Sequence, residues 1–443
     1  MNWNQITGEV TTTLQDLVRF NTTNPPGNET ACVEYIARKL KRDGVEPNIF
    51  ESAPGRGNLV ARLKGDGSLP PLLLMGHVDV VPAEADKWER APFSGDLVDG
   101  VVWGRGAVDM KQMVTMELLT FLLIQRENIP LKRDLIFMAN ADEETGGRVG
   151  AAWMAQHHPD LIYAEYAINE GGATSIVLDE QVFYVCSTAE KGSARFTLRA
   201  HGEPGHASQP NKNNALLPLA RAVANLIETP LPLRVCQSAR AHVEALARGV
   251  DGELRENVSG LLDPAKHARA LSALPLAEPQ KRRLSAALHN TAVPTILHAG
   301  SKINVIPGEA ECKVDCRILP GTTLESLEQE LRAVIGSDVE IEFAPVYPAL
   351  ESDPNSPLFD TIRRVVEEHE PGARLVPGLI TGGTDAKSVT RLGTQVLGFV
   401  PMRYEGPAMT GLAHNHNERI SVANLEFGTR VLWDVVTRFC GKG

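Results

Sequence analysis

The chain alternates short, wholly apolar runs with longer segments of helical periodicity. At 71–79, PLLLMGHVD, an apolar run bounded by Pro and Gly ends in His77, Val78 and Asp79. Such a run reads as a strand buried on both faces, the kind found in sheets covered by helices. The run at 135–139 ends in Asp142, Glu143 and Glu144, and the one at 166–168 ends in Asn169, Glu170, Gly171 and Gly172. Three strands thus deliver polar residues to their C-terminal ends, where open α/β sheets bind ligands. Helical periodicity over 11–20 and 29–43 precedes a strand at 58–63. An amphipathic helix is predicted at 110–125, with Asp109 at its start, where the helix dipole favours a carboxylate.

Near Lys191 the pattern changes. SARFTLRAHG alternates as an antiparallel strand, EPGHASQP follows, and a helix is predicted over 215–228. The stretch 237–289, rich in Ala, Leu, Arg and Glu, reads as an irregular helical insertion. Strands at 295–299, 301–305 and 309–318, a helix after Thr323 and a strand at 339–343 complete a β-α-β-β-α-β order. From Ser356 the α/β pattern resumes with a helix at 358–369, the loop TGGTDA, a strand at 394–399 and a helix at 425–439. The expected fold class is therefore α/β, a mixed sheet flanked by helices in two parts, 1–190 and 346–443, with an α+β domain inserted at 191–345.

Composition narrows the function. A chain of 443 residues with 43% hydrophobic and 22% charged residues is ordinary for a globular protein of two or three domains. A formal charge of -11 argues against a nucleic-acid partner, which needs a basic face. The first ten residues lack a basic start followed by an apolar run, and no apolar segment approaches membrane-spanning length, so a cytoplasmic protein with no membrane partner is expected. Six scattered cysteines fit reduced thiols, and Cys312 and Cys316 lack the second pair that a structural zinc site requires.

In an extended segment His77 and Asp79 point to one side, so Asp79 can orient one imidazole nitrogen while the other faces a ligand. Taken alone, that pair also describes a solvated strand end, and Asp109 alone describes a helix cap. The adjacent carboxylates Asp142, Glu143 and Glu144 repel one another unless a cation or solvent relieves them. His and carboxylate ligands without cysteine suit zinc, cobalt or manganese, and an Asp able to bridge suggests two ions. A further histidine should come from the resumed domain, where AHNHNERI offers His414 and His416.

The segments GHVDVVP, WGRGAVDMK, ADEETGG, INEGG, GEPGHAS, NVIPGEA, GGTDA and HNHNE, in this order, resemble the zinc-dependent exopeptidase family. That family includes aminoacylase, carboxypeptidase S, glutamate carboxypeptidase, acetylornithine deacetylase and succinyl-diaminopimelate desuccinylase. The resemblance covers nearly the whole chain. It implies two zinc ions, one held by His77 and Glu170, the other by Glu144 and His414, with Asp109 bridging. It makes Glu143 the general base and Asp79 the residue that orients His77. It prefers His414 to His416 by its spacing from Glu418, and it implies that His206 reaches the site of a partner subunit, in a homodimer built through the inserted lid domain. Gln112 stands where many members have Gly, and the stretch from His289 to Gly321 looks most like the carboxypeptidase S and aminoacylase branch.

From the residues, His206 beside Gly205 is also the candidate oxyanion donor. A substrate carboxylate needs a cationic or amide clamp, for which Asn304, Arg317, Gly383 and Thr384 are the candidates. Arg105 reads as structural. The expected activity is hydrolysis of the amide bond in an N-acyl amino acid or small peptide with a free carboxylate, by a metal-activated water with Glu143 as base. A biosynthetic deacylase and a catalytically silent metal-binding homologue are the alternatives.

Overall fold

The strand Leu72–His77 is buried at every position and lies at the centre of the first sheet. It runs parallel to Leu135–Asn140 on one side, with His77 opposite Asn140, and parallel to Tyr166–Asn169 on the other. The polar strand ends therefore sit side by side. Outward from Leu135–Asn140 come Gly57–Leu63 and Asn48–Glu51, both joined antiparallel. On the other side Gln395–Gly398 adds in parallel to Tyr166–Asn169, and Gln181–Glu190 follows antiparallel. The sheet is thus mixed. The computed structural model describes residues 1–171 and 175–442, so Gly172 of the INEGG segment lies outside the described residues.

The helix Lys111–Arg126 departs from expectation. Its pattern suggested one apolar face, yet every residue from Lys111 to Ile124 is buried. The reason is its position between the strand Leu72–His77 and the helices Trp3–Arg19 and Val422–Cys440. Its polar residues are accommodated individually. Lys111 Nζ donates to the carbonyls of Leu17 and Phe20 at 3.0 and 2.8 Å. Gln112 donates to the Val108 carbonyl. Burial pushes the Glu117 carboxyl well above its usual range. The close approach of this helix requires Gly76, where a Cβ would fall 2.7 Å from Met110 Cε and 2.8 Å from Val114 Cγ2. Glycine there lets the helix press on the strand just before His77.

Two compact units emerge, 1–188 with 352–377 and 384–443, and 189–351 with 378–383. The second unit carries the β-α-β-β-α-β order: Phe196–His201, Leu216–Glu228, Thr291–Ala299, Glu309–Ile318, Leu324–Ile335 and Glu340–Phe343. Its strands are antiparallel, with Glu309–Ile318 and Phe196–His201 central and Thr291–Ala299 and Glu340–Phe343 at the edges. Four helices, Gln237–Arg248, Gly252–Gly260, His267–Ala273 and Glu278–Ala286, form the expected insertion. The strand expected at 301–305 is absent: the preceding strand is longer, and only Val305–Ile306 pairs, with Gly205–His206. The edge strand Thr291–Ala299 leaves Val293 and Leu297 55% and 61% exposed. All six cysteines are buried and free, and among the described residues no helix is long and apolar enough to cross a membrane.

Candidate metal centre

His77 is 1% exposed and its ring is fixed from behind. Nδ1 lies 3.0 Å from the Asp79 carbonyl oxygen and 3.4 Å from Asp79 Oδ1. A carbonyl only accepts, so Nδ1 carries a proton, and in the neutral ring Nε2 presents a lone pair. Nε2 faces Asp109 Oδ1 at 3.3 Å and Glu170 Oε1 at 3.7 Å. Lone pair meeting carboxylate is attractive only with a cation or a proton between them.

The Asp79 carboxylate has a second task. It accepts the backbone N–H of Glu143 at 3.1 Å and of Glu144 at 3.2 Å, and the Asn24 side-chain amide at 2.8 Å. The same Asn24 amide reaches Asp142 and Thr145. Asp142 adopts a left-handed conformation at φ +74° and turns away from its two acidic neighbours. Arg56 bridges it to Glu29, at 2.9 and 2.8 Å. Burial would raise the Asp142 carboxyl, but bonds from Thr145, Val149 N–H and Asn24, with the Arg56 charge, hold it below its usual range. Two of the three adjacent carboxylates therefore remain for the site, and the third anchors the turn that carries them.

Asp109 offers its two oxygens to two histidines. Oδ1 faces His77, and Oδ2 is 3.1 Å from His414 Nε2, which is also 3.1 Å from Glu144 Oε2. Behind Asp109, Glu418 Oε1 accepts the backbone N–H groups of Val108 and Asp109 at 2.7 and 2.9 Å. Glu418 Oε2 pairs with Arg105 at 2.7 Å, both side chains being buried. His416 points elsewhere, toward Glu84. Of the two histidines in HNHNE, His414 is the one that faces Asp109 and Glu144.

Charge crowding dominates this cluster. Burial opposes protonation of His77, but Glu170, Asp109 and Asp79 outweigh it and raise the imidazole well above its usual range. His414 is pushed up to about 10 by Asp109 and Glu144. Burial, reinforced by Glu170, pushes Glu143 well above the usual carboxylate range, and burial also raises Glu170. Asp109 moves down despite its burial, because His414 and His77 both bond to it. His77 Nε2, Glu144 Oε1 and Glu170 Oε1 are buried and take no hydrogen bond from the described residues. His77, Asp109 and Glu144 form one group, and His77, Glu143 and Glu170 another, whose nitrogen and carboxylate oxygen atoms lie within 4.8 Å of one another, a donor set that fits divalent cations.

Neighbouring strand ends also capture the TGGTDA loop. Asn140 donates to Asp385 at 2.6 Å and Asn169 donates to the Thr384 hydroxyl at 2.9 Å. Thr384 is buried with its hydroxyl also accepting from Ala386 N–H, while Gly383 is exposed. In the second unit, His206 is exposed on the ribbon Gly205–His206, and the carbonyl of Asn304 accepts the next residue's N–H at 3.1 Å. Arg317 is engaged by Asp315 at 2.7 Å, and Asp315 also pairs with Arg195. Asn24, Asn140, Asn169 and Asp385 were not singled out from sequence, and Glu418 served only as a landmark. Asp315 had a legible signal, since residues two apart on a strand share a face.

The model of peptidase family M20/M25/M40 matches residues 73–438. The human N-fatty-acyl-amino acid synthase/hydrolase PM20D1 is 31% identical over 388 residues, 84% of this chain and 74% of its own. Aminoacylase-1 of Sus scrofa is 25% identical over 426 residues, 93% of this chain and 90% of its own. Among solved structures, the M20 family metallo-carboxypeptidase Sso-CP2 of Sulfolobus solfataricus superposes with a TM-score of 0.67 at 19% identity, covering 97% of this chain and 98% of that one. That likeness concerns the fold.

Proposed function

As a member of peptidase family M20/M25/M40 the chain is a metal-dependent hydrolase of amide bonds, and we propose that it cleaves N-acyl amino acids or short peptides bearing a free carboxylate, using two divalent ions, zinc foremost. The observation that carries this reading is Asp109, whose two oxygens face two histidines at 3.3 and 3.1 Å, each histidine also facing its own glutamate. His77 and Glu170 would hold one ion, His414 and Glu144 the other, with Asp109 between. Cobalt and manganese suit the same donors.

When bound, such ions polarise the scissile carbonyl and acidify a water. Glu143 takes the proton from the attacking water and returns it to the leaving amine. Asp79 holds Glu143 and Glu144 in place through their backbone N–H groups, and Glu418 does the same for Asp109. His206 supplies an N–H donor to the tetrahedral oxyanion. Asn304, Gly383 and Thr384 remain the proposed contacts of the substrate carboxylate, and Arg317 joins them with its charge already shared with Asp315.

The human relative, an N-fatty-acyl-amino acid synthase/hydrolase, and the porcine one, an aminoacylase, support the substrate class. A homodimer through the second unit is supported by the exposed apolar edge strand Thr291–Ala299, which invites pairing with its twin. Each His206 would then serve the other subunit. Six free, buried cysteines support a reducing compartment, the cytoplasm, and the negative net charge supports the absence of a nucleic-acid partner.

The test is metal removal followed by reconstitution, with matched substrates. Chelated protein should lose activity and regain it with zinc, cobalt or manganese, and kcat/KM should fall when the substrate's free acid is replaced by its carboxamide. Full activity in verified metal-free protein would refute the metal reading, and indifference to amidation would refute the substrate class.

A further inference from the structure

We propose that Ser208 is a positioning residue that fixes the tautomer of His206 so that its outward nitrogen carries a proton. The inference rests on the reading of His206 as oxyanion donor, and it begins from a turn held on both sides. Gly205–His206 pairs antiparallel with Val305–Ile306, Ala207 N–H donates to the Asn304 carbonyl at 3.1 Å, and Gln209 N–H donates to the His206 carbonyl at 2.8 Å. Within it, the backbone N–H of Ser208 donates to His206 Nδ1 at 3.2 Å, and the Ser208 hydroxyl lies 2.7 Å from the same nitrogen.

A backbone N–H only donates, so Nδ1 must present its lone pair. The hydroxyl carries a proton of its own and adds a second donor to that lone pair. Neutral imidazole has one proton, which is thereby assigned to Nε2. Nε2 has no hydrogen-bond partner among the described residues, and the side chain is exposed. The ring thus presents an N–H where a donor is needed. The opposite tautomer would turn a lone pair toward a developing negative charge, and the hydrogen bond that stabilises the oxyanion would be lost.

The contrast with His77 supports the assignment. There a backbone carbonyl faces Nδ1, the proton is kept at the back of the ring, and Nε2 offers a lone pair suited to a metal. At His206 a backbone N–H occupies the corresponding place and reverses the ring. One chain therefore sets two opposite tautomers by presenting opposite ends of the peptide group two residues beyond each histidine.

The experiment is nitrogen NMR of the full-length, metal-loaded enzyme with 15N-labelled histidine, the His206 signals being assigned by their loss in His206→Gln. The expected spectrum has an unprotonated Nδ1 that accepts a hydrogen bond and a protonated Nε2. A proton on Nδ1 overturns the proposal. Ser208→Ala should move the Nδ1 signal and lower kcat about 2- to 10-fold, the worth of one neutral hydrogen bond, with KM nearly unchanged. Ser208→Thr should restore both. An unchanged Nδ1 signal and kcat in Ser208→Ala would overturn the hydroxyl's part. Failure of the underlying reading looks different: Nε2–H would be observed, yet His206→Gln would turn over normally, which removes Ser208 from the reaction.

Discussion

Replacing Glu418 by Gln should separate the fold's hold on Asp109 from the proposed metal ligands themselves. The carboxylate accepts three hydrogen bonds, two from backbone N–H groups of Val108 and Asp109 and one from Arg105, and both charged partners are buried. Burial pushes the Glu418 carboxyl above its usual range, with Arg105 and the Val108 N–H pulling the other way. A pair in that balance contributes little net stability while intact and costs much when broken. The variant's single oxygen can serve the two N–H groups or Arg105, and its amide hydrogens repel whichever side they meet. Leaving Arg105 buried and unpaired costs about 3–5 kcal/mol, and loosening a group behind a metal ligand typically weakens metal affinity about 10–100-fold. Denaturant unfolding should show the first loss and metal titration of apoprotein the second. Glu368→Gln, which breaks an exposed pair with Arg438, serves as control and should shift neither. If Glu418→Gln matched the wild type in both measurements, the support assigned to the Glu418 contacts would be refuted.

Glu143→Gln should retain its metal ions by elemental analysis while kcat falls about 10²–10⁴-fold, the usual contribution of a general base; loss of metal instead would place Glu143 among the ligands. Asn24→Ala removes the donor shared by Asp79, Asp142 and Thr145, so unfolding midpoints should report a loss of about 1–3 kcal/mol with reduced kcat. Burial holds His289 below the usual imidazole value. As pH falls through about 6.5 the unfolded chain takes up that proton before the folded one, so stability should decline on the acid side, and His289→Gln should flatten that part of the profile. An unaltered acid limb in the variant would exclude His289 as its source.

The strand ends were legible because burial on both faces imposes unbroken apolar runs, and the abrupt change to His77, Glu143 and Glu170 stands out against them. Their adjacency followed from parallel α/β topology. The buried helix Lys111–Arg126 was less legible: its polar residues Lys111, Gln112 and Glu117 imitate a wet face, although each is inside. Likewise the Gly and Asn between 299 and 305 did not reveal that the expected second strand collapses into a turn. The amide residues Asn24, Asn140 and Asn169 escaped because their partners lie 55, 245 and 215 positions away, and a hydrogen bond at such separation leaves no period in the chain. Asp142 escaped for another reason. Only the backbone at φ +74° shows that one of three neighbouring acids faces backward.

The proposed ligands are anchored unevenly, and this bears on how the protein would exchange its ions with the surroundings. His77 ends a central strand and is 1% exposed, and Asp109 precedes a helix with no wet face. His414 stands in a loop at φ +61° with its side chain 55% exposed. Loops of that kind open at little free energy, whereas central strands move only with the whole unit. On the two-ion reading, the ion beside His414 would come and go on the timescale of a loop, and its partner beside His77 on that of global unfolding. Chelator kinetics would then be biphasic, and the cell's supply of free metal would set the occupancy of one half of the centre while leaving the other half filled.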